Sequence, residues 1–179
     1  MIQLLRENKK LIRFLLICLL GYLFWVVVYE HWIGPKQKVD FWLCDIESKE
    51  VIQILKWFGY SFQHVVELDF KHVFYLNGVR LVGLASSCNG LVLFPLFSCF
   101  IIATNGQWKR KFVYILAGCF LIYHVNLLRI LALVLVKLYY PDSLDFNHKY
   151  TFTILVYSFI FYLWYLWINY YSEAKTSGK

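Results

Sequence analysis

Long apolar stretches alternate with short polar ones along most of the chain, and the apolar stretches have the length of membrane spans. We expect four spanning helices, because each stretch comes near the roughly 20 residues that a helix needs to cross hydrocarbon. The predicted spans are residues 14–33, 89–105, 112–138 and 151–171. The second is the shortest, and we expect Pro95 to kink it. The pattern therefore predicts an all-α integral membrane protein.

Residues 34–87 connect the first two predicted spans and carry shorter patterns of their own. Apolar residues recur at helical spacing between Val51 and Phe58, which predicts a short amphipathic helix in the outer membrane interface. Asn77-Gly78 separates two apolar runs and predicts a small β-hairpin at about residues 72–83. Nothing in the sequence indicates a second domain, so we expect residues 1–179 to form a single integral membrane domain.

Basic residues are concentrated in three short segments, at both ends of the chain and between the second and third predicted spans. They are Arg6, Lys9, Lys10, Arg13, Lys109, Arg110, Lys111, Lys175 and Lys179. The connection at residues 34–87 instead balances six basic residues with six acidic ones. By the positive-inside rule, both termini are cytoplasmic and this connection is extracytoplasmic. We therefore expect a multi-pass protein of the cell membrane.

The composition supports this class and argues against nucleic-acid binding. Apolar residues make up 60% of the chain and aromatic residues 21%, more than a soluble domain of 179 residues can bury. The net charge of +7 comes mostly from the three basic segments, so it reflects topology and indicates membrane lipids as partners.

The five cysteines contain no Cys-x-x-Cys pair and no zinc-finger spacing with histidine. We therefore expect no metal site and no cofactor. Three of the cysteines fall inside predicted spans, where a thiol behaves as a small apolar group. Cys44 and Cys88 face the exterior, and a disulfide between them stays open as an alternative.

Cys88 lies where the hairpin ends and the second predicted span begins. Asn89 and the serines before Cys88 are plausible capping residues, and the positive end of the helix would stabilise a thiolate. Cys88 is therefore a candidate nucleophile, although an ordinary interfacial cysteine is the simpler interpretation.

Arg129 lies in an otherwise apolar span, where a guanidinium costs at least about 2.5 to 3.5 kcal/mol and is usually kept for a function. Cys88 and Arg129 each lie 18 residues from the cytoplasmic turn, about 27 Å along a helix, which places both near the outer interface. Arg129 suits a developing oxyanion or a substrate carboxylate. Asn126, on the same helix face, is a supporting candidate. The alternative is an arginine that extends to the headgroups.

His148 stands at the outer start of the fourth predicted span and fits a general acid or base. Asp145, three residues earlier, is a candidate to orient its ring. His124 is the rival, in the same span as Arg129 but about 7.5 Å deeper. The remaining histidines, among them His64 and His72, are assigned to exposed or interfacial segments.

The order Cys88-Asn89-Gly90-Leu91, then Asn126-Leu127-Leu128-Arg129-Ile130, then His148 before a final span resembles the signature blocks of the exosortase and archaeosortase family. The resemblance covers roughly residues 77–157, and its length is similar to the compact, F-type exosortases. A small residue usually follows the cysteine in that family, and Asn89 takes its place here. The larger members have about eight spans, whereas we expect four.

The resemblance implies a membrane cysteine protease or transpeptidase with Cys88 as nucleophile, His148 as acid/base and Arg129 as stabiliser of the tetrahedral intermediate. Its substrates would be exported proteins with a C-terminal sorting signal and a hydrophobic helix, transferred to a lipid or glycan acceptor or to water. Two other classes remain open. One is a non-enzymatic accessory or assembly protein, and the other is a thiol oxidoreductase that uses Cys44 and Cys88.

Overall fold

The computed structural model describes residues 9–36, 38–67 and 71–172. Five helices of at least 11 residues and three strands make up most of this part of the chain. The helices are α1 (Lys9–Val28), α2 (Lys38–Trp57), α3 (Leu93–Ala103), α4 (Trp108–Tyr139) and α5 (Phe152–Leu166). The strands are β1 (Phe62–Val66), β2 (His72–Leu76) and β3 (Val79–Leu84). The predicted basic residues Arg6, Lys175 and Lys179 lie outside the described residues.

Within the described ranges, three helical stretches are long and apolar enough to cross a membrane. They are Leu11–Trp32, Trp108–Tyr139 and Pro141–Tyr171, where short and π-helical turns extend α1 and α5. Helix α3, in the second predicted span, has 11 residues, about 17 Å, and is too short to cross a core of about 30 Å alone. It begins at Leu93 rather than Asn89. Pro95 lies in its first turn, where the missing N–H has no helical partner in any case, so the proline does not interrupt it.

The predicted hairpin is present and belongs to a larger sheet. Strands β1, β2 and β3 form an antiparallel sheet in that order. Asn77 (φ 52°) and Gly78 (φ 79°) connect β2 to β3, and two positive φ angles are characteristic of a type I′ hairpin turn. Strand β3 then leads the chain directly to Cys88.

Helix α2 replaces the short interfacial helix expected between Val51 and Phe58. It has 20 residues, and Val51 and Leu55 are completely buried. Phe58, predicted on the same apolar face, follows the helix and is 73% exposed. Because α2 packs against the sheet and against α4, its buried face belongs to a protein core rather than to a membrane surface.

Two apolar clusters lie along α4 and divide it near Asn126. The first contains Ile122 with buried residues of α3 and α5. The second contains Leu127, Ile130 and Val134 with buried residues of α2 and the sheet. With 32 residues, α4 is about 48 Å long, so it extends from the first cluster into the second. Residues between Ile122 and Leu127 therefore mark the boundary between two cores.

The basic turn before α4 also has a structural role. Lys111 is buried, and its ammonium group donates hydrogen bonds to the carbonyl groups of Ile102 and Thr104 at the end of α3. These carbonyls would otherwise lack partners, because the last carbonyls of a helix have none within it. Trp167 donates to the Thr104 hydroxyl over 2.7 Å, which attaches the final helix to the same turn.

Candidate active site

Cys88 lies in a short 3-10 turn, Ser86–Cys88, that follows β3. Its backbone N–H donates to the carbonyl of Ala85 over 2.8 Å. Because α3 begins only at Leu93, Cys88 does not stand at the first turn of that helix as predicted. The thiol is half-buried and is presented by irregular backbone at the boundary of the two clusters.

His148 lies beside this thiol although 60 residues separate the two in sequence. The Sγ atom of Cys88 is 3.2 Å from Nε2 of His148. His148 occupies a π-helical turn, Asn147–Thr151, that precedes α5. Single π turns within helices occur frequently at functional sites, because they turn a side chain away from its regular direction. A thiol and an imidazole at this distance can exchange a proton directly.

Asn126 connects three parts of the site. It is buried, and its Nδ2 donates to Oε1 of Glu47 over 2.9 Å and to the carbonyl of Cys88 over 3.1 Å. Its Oδ1 lies 3.5 Å from a terminal nitrogen of Arg129 and accepts a hydrogen bond from it. Asn126 therefore holds the backbone of Cys88 and the side chain of Arg129 relative to each other.

Arg129 lies one turn after Asn126 on α4 and is half-buried. Its Nε atom is buried and has no hydrogen-bond partner among the described residues. The guanidinium lies close enough to His148 and to Glu47 to interact electrostatically with both. A half-buried guanidinium close to the imidazole, with an Nε donor that has no partner among the described residues, is suited to bind an anionic oxygen.

Asn89 is buried directly after Cys88, and its side chain holds the irregular backbone. Its Nδ2 donates to Oδ1 of Asp40 over 2.8 Å, and its Oδ1 accepts from the backbone N–H of Leu91 over 3.0 Å. Gly90 follows with a φ of 70°. A Cβ at Gly90 would lie 3.0 Å from Cγ of Asn126, so both the backbone angle and the close approach require glycine here.

Two carboxyl groups of α2, Asp40 and Glu47, are the buried partners of these two asparagines. Burial raises the pKa of Glu47 to about 8, although the hydrogen bond from Asn126 lowers it. Sequence reasoning missed both residues, because they were counted only as acids of a solvated loop. Their spacing of seven residues, with Cys44 between them, places all three on one helix face and was the available signal.

Cys44 is a buried thiol rather than a partner of a disulfide. All five cysteines in the described part of the chain are thiols. Burial, and next the charge of Glu47, raise the pKa of Cys44 to about 12. A thiol with these properties is a poor nucleophile and a poor redox partner, so the arrangement does not favour the oxidoreductase alternative.

Asp145 lines the same cleft as Cys88 and His148, together with Leu133 and Lys137. Among the described residues, no hydrogen bond connects Asp145 to the imidazole. The rival His124 is exposed, and its Nδ1 pairs with the carbonyl of Phe120 on its own helix. The structure thus brings Cys88, His148, Asn126 and Arg129 together and leaves His124 elsewhere.

His72 was assigned to an exposed or interfacial segment, and that assignment is wrong. Its side chain is completely buried between α2 and the sheet, next to His64. The sequence of one strand does not reveal which of its faces is covered by a helix, because that helix lies elsewhere in the chain.

The chain matches a known protein family. The family model of the transmembrane exosortases matches residues 4–168, which include the thiol, the imidazole and the guanidinium described above. No curated protein and no solved structure matches the chain. Since the family model covers nearly the whole sequence, the chain belongs to the transmembrane exosortase family.

Proposed function

We propose that the protein is a membrane cysteine transpeptidase that cleaves the C-terminal sorting signals of exported proteins through a thioester. Family membership supports a sorting-related transpeptidase in general. The observation that carries the specific proposal is the 3.2 Å approach of Cys88 Sγ to His148 Nε2. In this reaction Cys88 is the nucleophile, His148 the acid/base and Arg129 the oxyanion donor.

The first half-reaction forms the thioester. The proton of the Cys88 thiol moves to Nε2 of His148, and the thiolate attacks the scissile carbonyl carbon of the substrate. The carbonyl π electrons move to oxygen and form a tetrahedral oxyanion. When the intermediate collapses, the C–N bond breaks and His148 returns its proton to the leaving amine. The acyl group then remains on Cys88, and the released peptide carries the sorting signal.

Arg129 stabilises the charge that develops on the oxyanion. Its guanidinium is fixed by Asn126, which also holds the carbonyl of Cys88, so cation and nucleophile keep a defined relation. Donors that are already oriented need no reorganisation during the reaction, and one such donor is worth roughly 2.7 to 4 kcal/mol.

The second half-reaction releases the acyl group. An amine of a lipid or glycan acceptor attacks the thioester while His148 removes its proton, and collapse expels the Cys88 thiolate. Water in place of the amine gives hydrolysis by the same sequence of bonds. The acyl product is then either attached to the acceptor or set free as a carboxylate.

The proposed membrane topology has four crossings with both termini in the cytoplasm and the site on the extracytoplasmic face. The second crossing consists of α3 together with the non-helical residues 88–92. Residues 88–92 are turns rather than extended backbone, so the α3 crossing is shorter than the roughly 30 Å of the hydrocarbon core. Non-helical backbone is tolerated at this depth only where protein groups satisfy it, as Asn89 and Asn126 do here.

A substrate with its own hydrophobic helix would approach through the bilayer. An apolar groove between α1 and α3 is lined by Gly21, Tyr22, Trp25, Val92 and Leu96. Val92 is only four residues from Cys88, so a helix held in this groove would present its outer end near the thiol. Confinement of both molecules to one membrane raises the frequency of productive encounters.

The test is to trap the acyl-enzyme. The full chain is reconstituted in native membranes that contain exported proteins, quenched in acid and analysed by mass spectrometry for acyl groups on cysteine. We expect a hydroxylamine-sensitive adduct on Cys88, and we expect Cys88→Ala to remove both the adduct and substrate cleavage.

Cys44→Ala is the matched control, because Cys44 is a second extramembrane thiol on the same side of the fold. This variant should retain cleavage. Cleavage that persists in folded Cys88→Ala, or that Cys44→Ala abolishes as completely, would refute the proposed mechanism.

A further inference from the structure

A cluster of three potential metal ligands lies outside the site described above. One ligand atom each from Asp45, His64 and His72 lies within 4.8 Å of the other two. Asp45 comes from α2, His64 from β1 and His72 from β2. Strands β1 and β2 pair as antiparallel neighbours, and their register brings together two histidines that are eight residues apart. Three separate elements therefore contribute one ligand each.

The two imidazoles already face each other through ring nitrogens. His64 Nε2 lies 2.8 Å from His72 Nδ1, and the ring planes differ by 14°. His72 is completely buried and packs against Phe41, with ring centroids 4.6 Å apart. The buried ring is thus held in place, whereas His64 is only half-buried and can adjust.

The donor set fits a borderline cation. Two imidazoles and one carboxylate are a known set of three protein ligands for zinc, and a water molecule completes the tetrahedron. With Zn–N distances of about 2.0 to 2.1 Å, tetrahedral ligands lie about 3.4 Å apart. The nitrogens would therefore have to separate by about half an ångström. In the structure one imidazole donates its N–H to the other. To bind zinc through the same nitrogen, the donor ring would have to carry its proton on its other nitrogen.

We propose that Asp45, His64 and His72 form a binding site for one zinc ion that joins α2 to strands β1 and β2. The ion would connect the helix that carries Asp40 and Glu47 to the sheet that leads to Cys88. Its role is to fix these two supports relative to each other, without contact with the thiol.

Access to the site and competition for it are visible in the structure. An open cleft lined by Lys49, Gln63 and His64 reaches the half-buried imidazole from the surface. Lys49 is bound to Oδ2 of Asp45 over 2.6 Å. Lys49 is exposed, and an exposed ion pair contributes at most about 1 kcal/mol, so the cation would displace it at little cost.

The experiment measures binding of zinc to the purified full chain in detergent. Affinity is determined by competition with a chromogenic zinc indicator, and stoichiometry by elemental analysis. We expect one zinc ion per chain, and roughly tenfold or greater weakening in His64→Gln and in Asp45→Asn. These variants leave the buried His72 intact, and circular dichroism with size-exclusion chromatography verifies that they fold.

Two controls separate this site from other zinc-binding groups. His31→Gln removes an exposed histidine whose one hydrogen bond among the described residues is to its own helix backbone at Val27. Cys88→Ala removes the thiol beside His148. Both variants should bind zinc as the wild type does. Cobalt in place of zinc should give ligand-field bands without a thiolate-to-cobalt charge-transfer band.

Absence of stoichiometric zinc binding by the wild type would overturn the proposal and leave the two histidines as a structural pair. Binding that survives in folded His64→Gln and Asp45→Asn, or that is lost in Cys88→Ala, would overturn it as well. These results are independent of peptide cleavage, so they leave the proposed transpeptidase mechanism untouched.

Discussion

Replacement of Glu47 by glutamine tests whether a neutral carboxyl supports the site. Glu47 is fully buried, Asn126 donates to its Oε1, and its Oε2 has no partner among the described residues. Glutamine keeps the acceptor oxygen and nearly the same volume, so it imitates the protonated acid. We expect Glu47→Gln to fold and to retain turnover.

The magnitude follows from the difference between the folded and unfolded pKa of Glu47. Burial raises the pKa to about 8 from an ordinary value of 4.5. A raised folded pKa means that the stabilisation is complete below pH 4.5 and is lost as pH rises through about 8. At pH 7 the unfolded chain has released its proton and the folded chain has kept it. At about 1.4 kcal/mol per pH unit, this difference makes the wild type about 3 kcal/mol less stable than at pH 4.5.

The assay compares the pH dependence of unfolding in the two proteins. Unfolding free energies are measured in detergent by denaturant titration with tryptophan fluorescence, between pH 4.5 and pH 8. Other titrating groups are common to both proteins, so they cancel in the difference. We expect Glu47→Gln to match the wild type at pH 4.5 and to exceed it by about 3 kcal/mol at pH 7.

Glu30→Gln is the control for this comparison, because Glu30 is an exposed carboxyl in the π turn after α1. It should follow the wild-type curve throughout. Parallel curves for the wild type and Glu47→Gln would refute the reasoning, since they would mean that Glu47 is ionised in the folded protein at neutral pH.

Three further predictions test the contacts of the site. Arg129→Ala should fold and lower turnover by two to three orders of magnitude, measured as steady-state cleavage, because about 2.7 to 4 kcal/mol of oxyanion stabilisation is lost; near-normal turnover would exclude that role. Gly90→Ala should lower both stability and turnover, since φ is positive and a Cβ would press on Asn126. Gly78→Ala also has a positive φ, but its Cβ would lie in open space, so this variant should lose about 1 to 2 kcal/mol of folding stability and keep turnover. Cys44 should resist alkylation at pH 7 until the chain unfolds, because burial raises its pKa to about 12; rapid labelling of the folded protein, detected by mass spectrometry, would contradict this.

Elements with a local pattern could be predicted from the sequence. The long apolar runs, the Asn77-Gly78 turn and the three chemically distinctive residues each carry their own signal. Arg129 is conspicuous because a charge in apolar surroundings is costly, whereas Cys88 and His148 are indicated by their positions at the outer ends of predicted spans and by the family resemblance. Asn126 was found only as a neighbour on the face of Arg129, and its bonds to Glu47 and to Cys88 were not foreseen.

The contributions of α2 could not be predicted, because they depend on contacts between distant segments. Asp40 and Glu47 resemble ordinary surface acids in a segment with balanced charge. Their burial arises only when α2 packs against α4 and meets the two asparagines. The start of α3 was predicted four residues too early for a related reason. Asn89 is polar and Gly90 has no side chain, so hydrophobic periodicity does not predict their backbone conformation. Partners from other helices stabilise this irregular backbone.

The location of the thiol explains why a chain with so few polar groups buries two pairs of an asparagine and a carboxyl group. A cysteine within a regular helix needs no external backbone partners, but the helix limits the directions from which a substrate carbonyl can approach Sγ. Cys88 instead lies in irregular backbone at the boundary of two apolar clusters, where unpaired N–H and C=O groups cost several kcal/mol each. Asn126 and Asn89 pair with these groups, and Glu47 and Asp40 in turn fix the orientation of the two amides. The buried acids of α2 are thus a consequence of placing a nucleophile on non-helical backbone, and a substitution that removes either pair should disturb the turn at Cys88 before it disturbs the spanning helices.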